Sequence, residues 1–396
     1  MKKPPVGRLE VVLRLYFDWL QRQSTNDFFR ETSMERSVGI GGRRWLVQGN
    51  ENDSYIAKLA DPFEPQLVSM LAVLCDNGAQ VLDIGANIGC TALALSQIVG
   101  DGKVVAFEPV PRTFANLSKN IGLLSNVAIH NFALGSQAGT LPMQGSEGDS
   151  AGAFVANQFQ IANAGYFQVE VPVRTLDEAF PSLGLDRVDF IKIDVEGFEL
   201  DVFEGGRETL QRFKPRVVLE MNHFCLNMFR RITYPEFRER LLQIFPYVYA
   251  VDGTRYLDLT SENDAYVVGY EHTLQFRFPN LVAGFDRSDL IARLSTLDRA
   301  AHVLAEAHRV AADSEARNAA VDAHSNQLRQ QLASLEAERD RLSSQVVADS
   351  ERIAELEREK IALLTSSSWR VTQPLRSIKQ FFATKSSAAT ESGPSA

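Results

Sequence analysis

Cysteine is scarce: Cys75, Cys90 and Cys225 are the only three in 396 residues, and no two stand in CxxC spacing. That excludes a disulfide-stapled scaffold, offers no zinc cluster and fits a reducing compartment. Long apolar runs are also missing; none approaches the ~18–20 residues that a membrane-spanning helix requires. Positive charge is in deficit, with a net charge of −9. A general nucleic-acid binder needs a basic face to neutralise phosphates, so no nucleic acid is expected as a partner. The basic residues that are present gather at the ends. Residues 1–30 carry six Lys or Arg against three acids, and residues 366–396 carry four against one. The N-terminal stretch "MKKPPVGRLEVVLRLYFDWLQRQ" starts basic, but charges interrupt its apolar part and no small-residue cleavage site follows. It reads as an amphipathic helix and not as a signal peptide. Glycine and proline vanish between Gly284 and Pro374, a stretch rich in Ala, Glu, Arg, Leu and Gln, the composition of a long helix.

What is present suffices for a folded core. The chain is 45% hydrophobic and 23% charged, and its length suits two or three structural units. The pattern divides it into a helix and hairpin cap over 1–60, an α/β domain over 61–282, a coiled coil over 283–365 and a basic tail over 366–396. "SVGIGGRRWLV" places two short apolar runs around Gly41-Gly42, the signature of a tight hairpin turn.

The first motif is "VLDIGANIGCTALALS", residues 81–96. Val81–Ile84 reads as a buried strand and Thr91–Val99 as the helix after it. Gly85 and Gly89 let the intervening loop turn tightly and let a ligand approach the helix N-terminus. The next strand, "KVVAFEPV", ends at Glu108. An acid at the end of the second strand, some twenty residues past a glycine loop, is placed to accept both hydroxyls of a ribose. The glycine spacing is not GxGxxG, so no pyrophosphate cradle is demanded. A single nucleoside with a small charged appendage fits, namely S-adenosylmethionine, with Asp83 near its amino-acid end.

The second motif is "VDFIKIDVEGFELDVFEGG", residues 188–206. Lys192 and Asp194 interrupt an otherwise apolar strand. Asp194 and Glu196 emerge at its end, two residues apart, and can face one crevice. Helix N-capping is the competing reading of that pair. "RVVLEMNHF" is a further buried strand ending at Glu220, with Asn222 and His223 just beyond. A hydroxyl acceptor needs a base, and Asp194, Glu196 and His223 are the candidates. Asp194, Glu196 and Glu220 also form an oxygen set of the kind that holds a divalent cation, but no metal ligands are assigned.

Together these motifs, with "VVAFEPVPRTFANLSKN" and "NFALG", resemble the successive motifs of FkbM-type S-adenosylmethionine-dependent methyltransferases. The resemblance covers roughly residues 40–270. It implies an α/β fold, a Rossmann-like class I methyltransferase sheet with helices on both faces and an antiparallel last strand. "YAVDGTRYLDLT" and "DAYVVGY" are the expected sources of the closing hairpin. It implies methyl transfer, most often to a hydroxyl oxygen, with S-adenosyl-L-methionine as cofactor. Carried over by position, Asp83, Gly85, Asn87 and Gly89 line the methionine end, Glu108 binds the ribose, and Asn131, Phe132 and Ala133 flank the adenine. Asp194 and Glu196 face the methyl group and the acceptor. The rival readings are N-methylation, a small-molecule acceptor, and a scaffold whose methyltransferase unit is inactive.

Three segments lie outside those motifs. Residues 139–168, rich in Gly, Ser, Asn and Ala with interspersed Phe and Tyr, suit either a lid over a sugar or a hairpin on the sheet edge. Leu328, Leu335, Leu342, Leu356 and Leu363 fall seven apart or in multiples of seven, with Leu332, Val346 and Ile353 in the second column. With Asp349 interrupting the first column and Arg339 and Lys360 the second, that is an a/d seam with polar breaks; it predicts a homo-oligomer, the competing reading being a helix folded back on the catalytic domain. Leu290, Leu297 and Leu304 suggest a second seam in another phase. Finally, "SSSWRVTQPLRSIKQFF" resembles a segment near the coiled-coil ends of some bacterial cell-surface glycan enzymes. It tilts the acceptor toward a bacterial polysaccharide or its lipid-linked precursor. Leu375, Ile378, Phe381 and Phe382 recur at helical spacing among Arg376, Lys379 and Lys385. This pattern suits a cytoplasmic protein held on the inner face of the membrane, or docked on a glycan-assembly protein.

Overall fold

The computed structural model describes residues 33–50, 52–122, 124–163 and 165–387. The expected N-terminal amphipathic helix and the residues after Ser387 lie outside these. The chain divides into two compact units, residues 1–313 and 314–396.

In the first unit, β1 (Ser33–Ile40) and β2 (Arg43–Asn50) pair antiparallel around the expected Gly41-Gly42 turn. Both glycines have positive φ, 60° and 84°, as a type I′ turn demands. β3 (Gln80–Ile84), β4 (Lys103–Phe107) and β5 (Val127–His130) are the parallel strands around the first motif. β6 (Ala133–Leu134), β7 (Gly139–Ser146), β8 (Phe154–Val155) and β9 (Tyr166–Arg174) form a separate four-stranded sheet in the order β6-β9-β7-β8. β10 (Phe190–Ile193), β11 (Arg216–Glu220), β12 (Tyr247–Asp252), β13 (Arg255–Asp258) and β14 (Asn280–Gly284) complete the main sheet. Its order is β13-β12-β14-β11-β10-β3-β4-β5, with β14 antiparallel to β11 and β12.

The central strands are buried on both faces, which is why they read as nearly unbroken apolar runs. Val81, Phe190 and Val218 pack on one face with the helices Pro65–Leu74 and Cys90–Val99. Leu82, Ile84, Ile191 and Ile193 pack on the other, against Phe203, Phe237 and Phe245. Each such side chain contributes about 1.5–3 kcal/mol by leaving water.

Two expectations are corrected. "DAYVVGY" is not a strand: it lies within the helix Glu262–Gln275, where the Ser261 hydroxyl accepts from the Asp264 amide. Its buried residues Ala265, Val268 and His272 follow the helical period, and the hairpin closes with β12 and β13 instead. The second seam is not a seam either. Leu290 and Leu297 are buried in the first unit's core, together with Leu294. The helix Arg287–Leu294 packs on Pro65–Leu74, so these leucines are spent inside the unit.

A single helix, Leu297–Thr365, carries the heptad leucines. Within residues 314–396 those leucines are exposed, Leu335 by 62% and Leu342 by 50%. A further helix, Ser367–Ser387, follows. No helix among the described residues is long and apolar enough to cross a membrane.

Candidate functional site

The C-terminal ends of β3, β4 and β10 open on a cavity that, counted with the open solvent at its mouth, holds about 730 Å³ of empty space. This is the edge of a parallel sheet where ligands bind, because the loops part there. Gly85, Asn87, Glu108, Phe132, Ala133, Asp194 and Glu196, all singled out by sequence, line it.

The glycine loop is tight for a reason beyond the ligand. A Cβ at Gly85 would lie 1.8 Å from the Asp194 carbonyl oxygen, and the residue has φ +79°. The two motifs thus touch backbone to backbone, with the Asp194 amide donating to Ile84 at 3.0 Å. Gly89 has φ +102° and N-caps the helix Cys90–Val99; its missing Cβ leaves room for Leu117. It is not among the cavity-lining residues. Asp83 does not line the cavity either: it is fully buried beneath the loop, 3.8 Å from Lys192.

Glu108 is buried, and its carboxylate accepts from the Asn87 amide at 3.1 Å and the Val110 amide at 2.9 Å. Burial pushes its pKa up to about 7 against the pull of those two donors. Each oxygen retains a second acceptor position for a ribose hydroxyl. Asn131 works from behind: its amide donates to the carbonyls of Glu108 and Pro109 and fixes that strand end. Phe107 and Phe132 meet edge to face at 5.4 Å, and the Arg174 guanidinium lies over Phe132 at 5.2 Å. Both rings line the cavity and give it an aromatic, apolar surface.

Asp194 and Glu196, which also line the cavity, cluster with Glu220. One oxygen each from Asp194, Glu196 and Glu220 lie within 4.8 Å of one another. Glu196 sits at φ +54° and accepts from the Cys225 thiol at 3.0 Å and the Asn222 amide at 3.4 Å. Burial, then the neighbouring Asp194, raises its pKa to about 7. The same two causes hold Glu220 well above the usual carboxylate range. Such a cluster can share protons, accept a hydroxyl proton, or bridge a cation. The capping reading does not describe the pair, since Phe198 N-caps the helix Glu199–Glu204 without a side-chain bond. Glu199 is the acid the loop uses, accepting from the amides of Val195 and Gly197 at 3.2 Å.

His223 is corrected. It is not among the cavity-lining residues; its ring lies 4.9 Å from His272 and 4.7 Å from Phe276. The chain turns into helix right after Asn222, which carries the imidazole away.

The remaining wall was not legible beforehand. Met143, Val155 and the loop Ser150–Ala153 of the small sheet close the cavity. A Cβ at Gly152 would lie 3.8 Å from Glu196 Oε1. The segment is fastened: the Ser54 hydroxyl donates to Asp149 at 2.6 Å, the Ser150 amide to Asp53 at 3.1 Å, and Arg112 pairs with Glu147 at 3.0 Å. It is neither a lid alone nor a hairpin on the main sheet, but a second sheet that supplies a wall.

A parallel sheet closed by an antiparallel strand, a glycine loop, an acid at the second strand end and an open cavity define a Rossmann-like methyltransferase fold. Residues 83–249 match the family model described as the methyltransferase FkbM domain. A 2-O-methyltransferase, NoeI, of Sinorhizobium fredii is 29% identical over 33% of this chain and 59% of its own length. The methyltransferase sdnD of Sordaria araneosa is 31% identical over 35% of this chain and 65% of its own. The hexuronic acid methyltransferase AglP of Haloferax volcanii is 28% identical over 42% of this chain and 66% of its own. The chain thus spans about three fifths to two thirds of the length of these relatives.

Proposed function

We propose that the protein is an S-adenosylmethionine-dependent O-methyltransferase acting on a sugar hydroxyl of a bacterial surface polysaccharide or its lipid-linked precursor. The observation that carries the reading is one cavity lined both by a strand-end acid of the ribose-binding kind, Glu108, and by Asp194 with Glu196. Two of the relatives are named for 2-O-methylation and for a hexuronic acid, which supports a sugar hydroxyl.

The cofactor supplies a methyl group already activated on a sulfonium. The chain's own task is to bind, align and deprotonate. The loop around Gly85 and Asn87 would hold the amino-acid end, Glu108 the ribose, and Phe107 with Phe132 the purine face. Asp194 and Glu196 would hold the acceptor hydroxyl and take its proton, a contribution of typically 10²–10⁴-fold. Alignment for in-line transfer contributes up to ~7–11 kcal/mol of the barrier.

The heptad helix joins two or three copies, and the exposed Leu375 and Ile378 beside Arg376 and Lys379 give each copy a weak basic, apolar contact. Joined copies would hold an anionic membrane surface more tightly through effective concentration. This would place the catalytic unit near the cytoplasmic face, where lipid-linked glycans grow. The test is mass spectrometry of the host's surface glycan with and without the protein, paired with calorimetry of S-adenosylmethionine binding. The expected result is tight binding and loss of one methyl group from a defined sugar. An unchanged glycan would overturn the acceptor assignment.

A further inference from the structure

Lys192 is a cation placed at the depth of a core residue. Its side chain is 6% exposed and stands opposite Asp83 in the β10–β3 register. Its Nζ lies 3.3 Å from the Gly85 carbonyl, 3.8 Å from Asp83 Oδ1 and 3.6 Å from Asp194 Oδ2. The ammonium donates one hydrogen bond, to the Gly85 carbonyl, and forms ion pairs with the two carboxylates. These partners belong to different parts of the site: the cofactor loop, a fully buried carboxylate, and the carboxylate that faces the cavity. Asp83 has no hydrogen-bond partner for either oxygen, so the ammonium is its compensation. Asp194 lies nearer to the ammonium than Asp83 does, and satisfying Asp83 alone would not require that second pairing or the bond to Gly85.

We propose that Lys192 is a positioning residue for methyl transfer, its ammonium tying the Asp194 carboxylate to the Gly85 carbonyl so that the acceptor side and the cofactor loop keep a fixed relation. The inference rests on the methyltransferase reading above. Lys192 does not line the cavity; it acts through Asp194. A methionine in its place would keep the volume and lose all three contacts.

The test is a two-background comparison. K192M is made in the wild-type chain and in D83N, where the fully buried Asp83 carboxylate is no longer left without its cation, and circular dichroism checks that each variant is folded. Single-turnover transfer is followed with methyl-labelled S-adenosylmethionine, using glucose and glucuronic acid as acceptor probes. Cofactor affinity is measured by calorimetry. Adding K192M to D83N is expected to lower the transfer rate about 100-fold, the scale of a misplaced base, with affinity changed less than about threefold. A rate ratio below about threefold between D83N and D83N/K192M would mean that Lys192 serves Asp83 alone, and it overturns the inference. Wild type that binds no S-adenosylmethionine, or transfers to neither probe, overturns the reading beneath it and the inference with it.

Discussion

Gly85 shows how much one missing methyl group decides. Any side chain there meets the Asp194 carbonyl at 1.8 Å and must also adopt φ +79°. Gly85→Ala is expected to cost about 2–4 kcal/mol, combining a disfavoured backbone with overpacking against an atom that cannot move aside. Urea denaturation checks it; a loss under about 1 kcal/mol would mean that the two strand ends separate easily. Glu108 lines the same cavity. Glu108→Ala removes a charge-assisted contact to a diol and should weaken S-adenosylmethionine binding by about 1.5–3 kcal/mol. Its pKa near 7 adds a pH signature. Below that value the carboxyl carries a proton and accepts poorly, so wild-type affinity should rise between pH 6 and 8. The Ala variant should flatten that rise. Calorimetry at both pH values decides, and an equal slope in the two proteins would move the ribose contact elsewhere.

The long helix gives the clearest case at the scale of elements. Leu328, Leu335, Leu342, Leu356 and Leu363 are all exposed, in a column that an isolated helix cannot bury. The expected outcome in light scattering is an oligomer for the full chain. Leu335→Glu with Leu342→Glu should give a monomer with cofactor affinity intact. Removal of residues 314–396 should give the same, because the first unit holds the main sheet and its core. A monomeric full-length chain at micromolar concentration would contradict the seam. The leucines at 290 and 297 show why spacing alone misleads: heptad spacing and a helix packed on a sheet place apolar residues alike. Only the contact with Pro65–Leu74 separates them.

At the scale of the whole molecule, a small set of acids sits where water is scarce. Burial raises Asp83 to about 6 and Glu108, Glu196 and Glu199 to about 7. The folded chain therefore holds protons near neutrality that the unfolded chain has released, and stability falls as pH rises through that range. Burial lowers His223 and His272, which weakens the fold only below the ordinary histidine range. The melting temperature without cofactor should accordingly be higher at pH 6.5 than at pH 8. Scanning calorimetry checks the order, and the reverse order would mean that something other than protons neutralises the cluster. Saturating S-adenosylmethionine should raise stability at both, by about 2.7 kcal/mol at a hundredfold excess over Kd.

The sequence by itself determined the parts whose physics is local. Buried parallel strands need apolar runs, turns with positive φ need Gly41, Gly42, Gly85 and Gly89, and a strand-end acid announces itself by position. These made the sheet, the loop and the place of Glu108, Asp194 and Glu196 at the strand ends readable in advance. The tertiary structure decided whatever depends on partners distant in the chain. His223 follows a strand end yet leaves the cavity with a turn of helix, and "DAYVVGY" alternates like a strand yet has helical burial. The wall from Ser150 to Ala153 comes from a second sheet bonded to Asp53 and Ser54, some hundred residues away. Lys192 reads as an interruption in an apolar strand until β3 places Asp83 beside it. An ammonium gives no sign in sequence of which carboxylates will neutralise it, because that choice is made by strand register and by the exclusion of water.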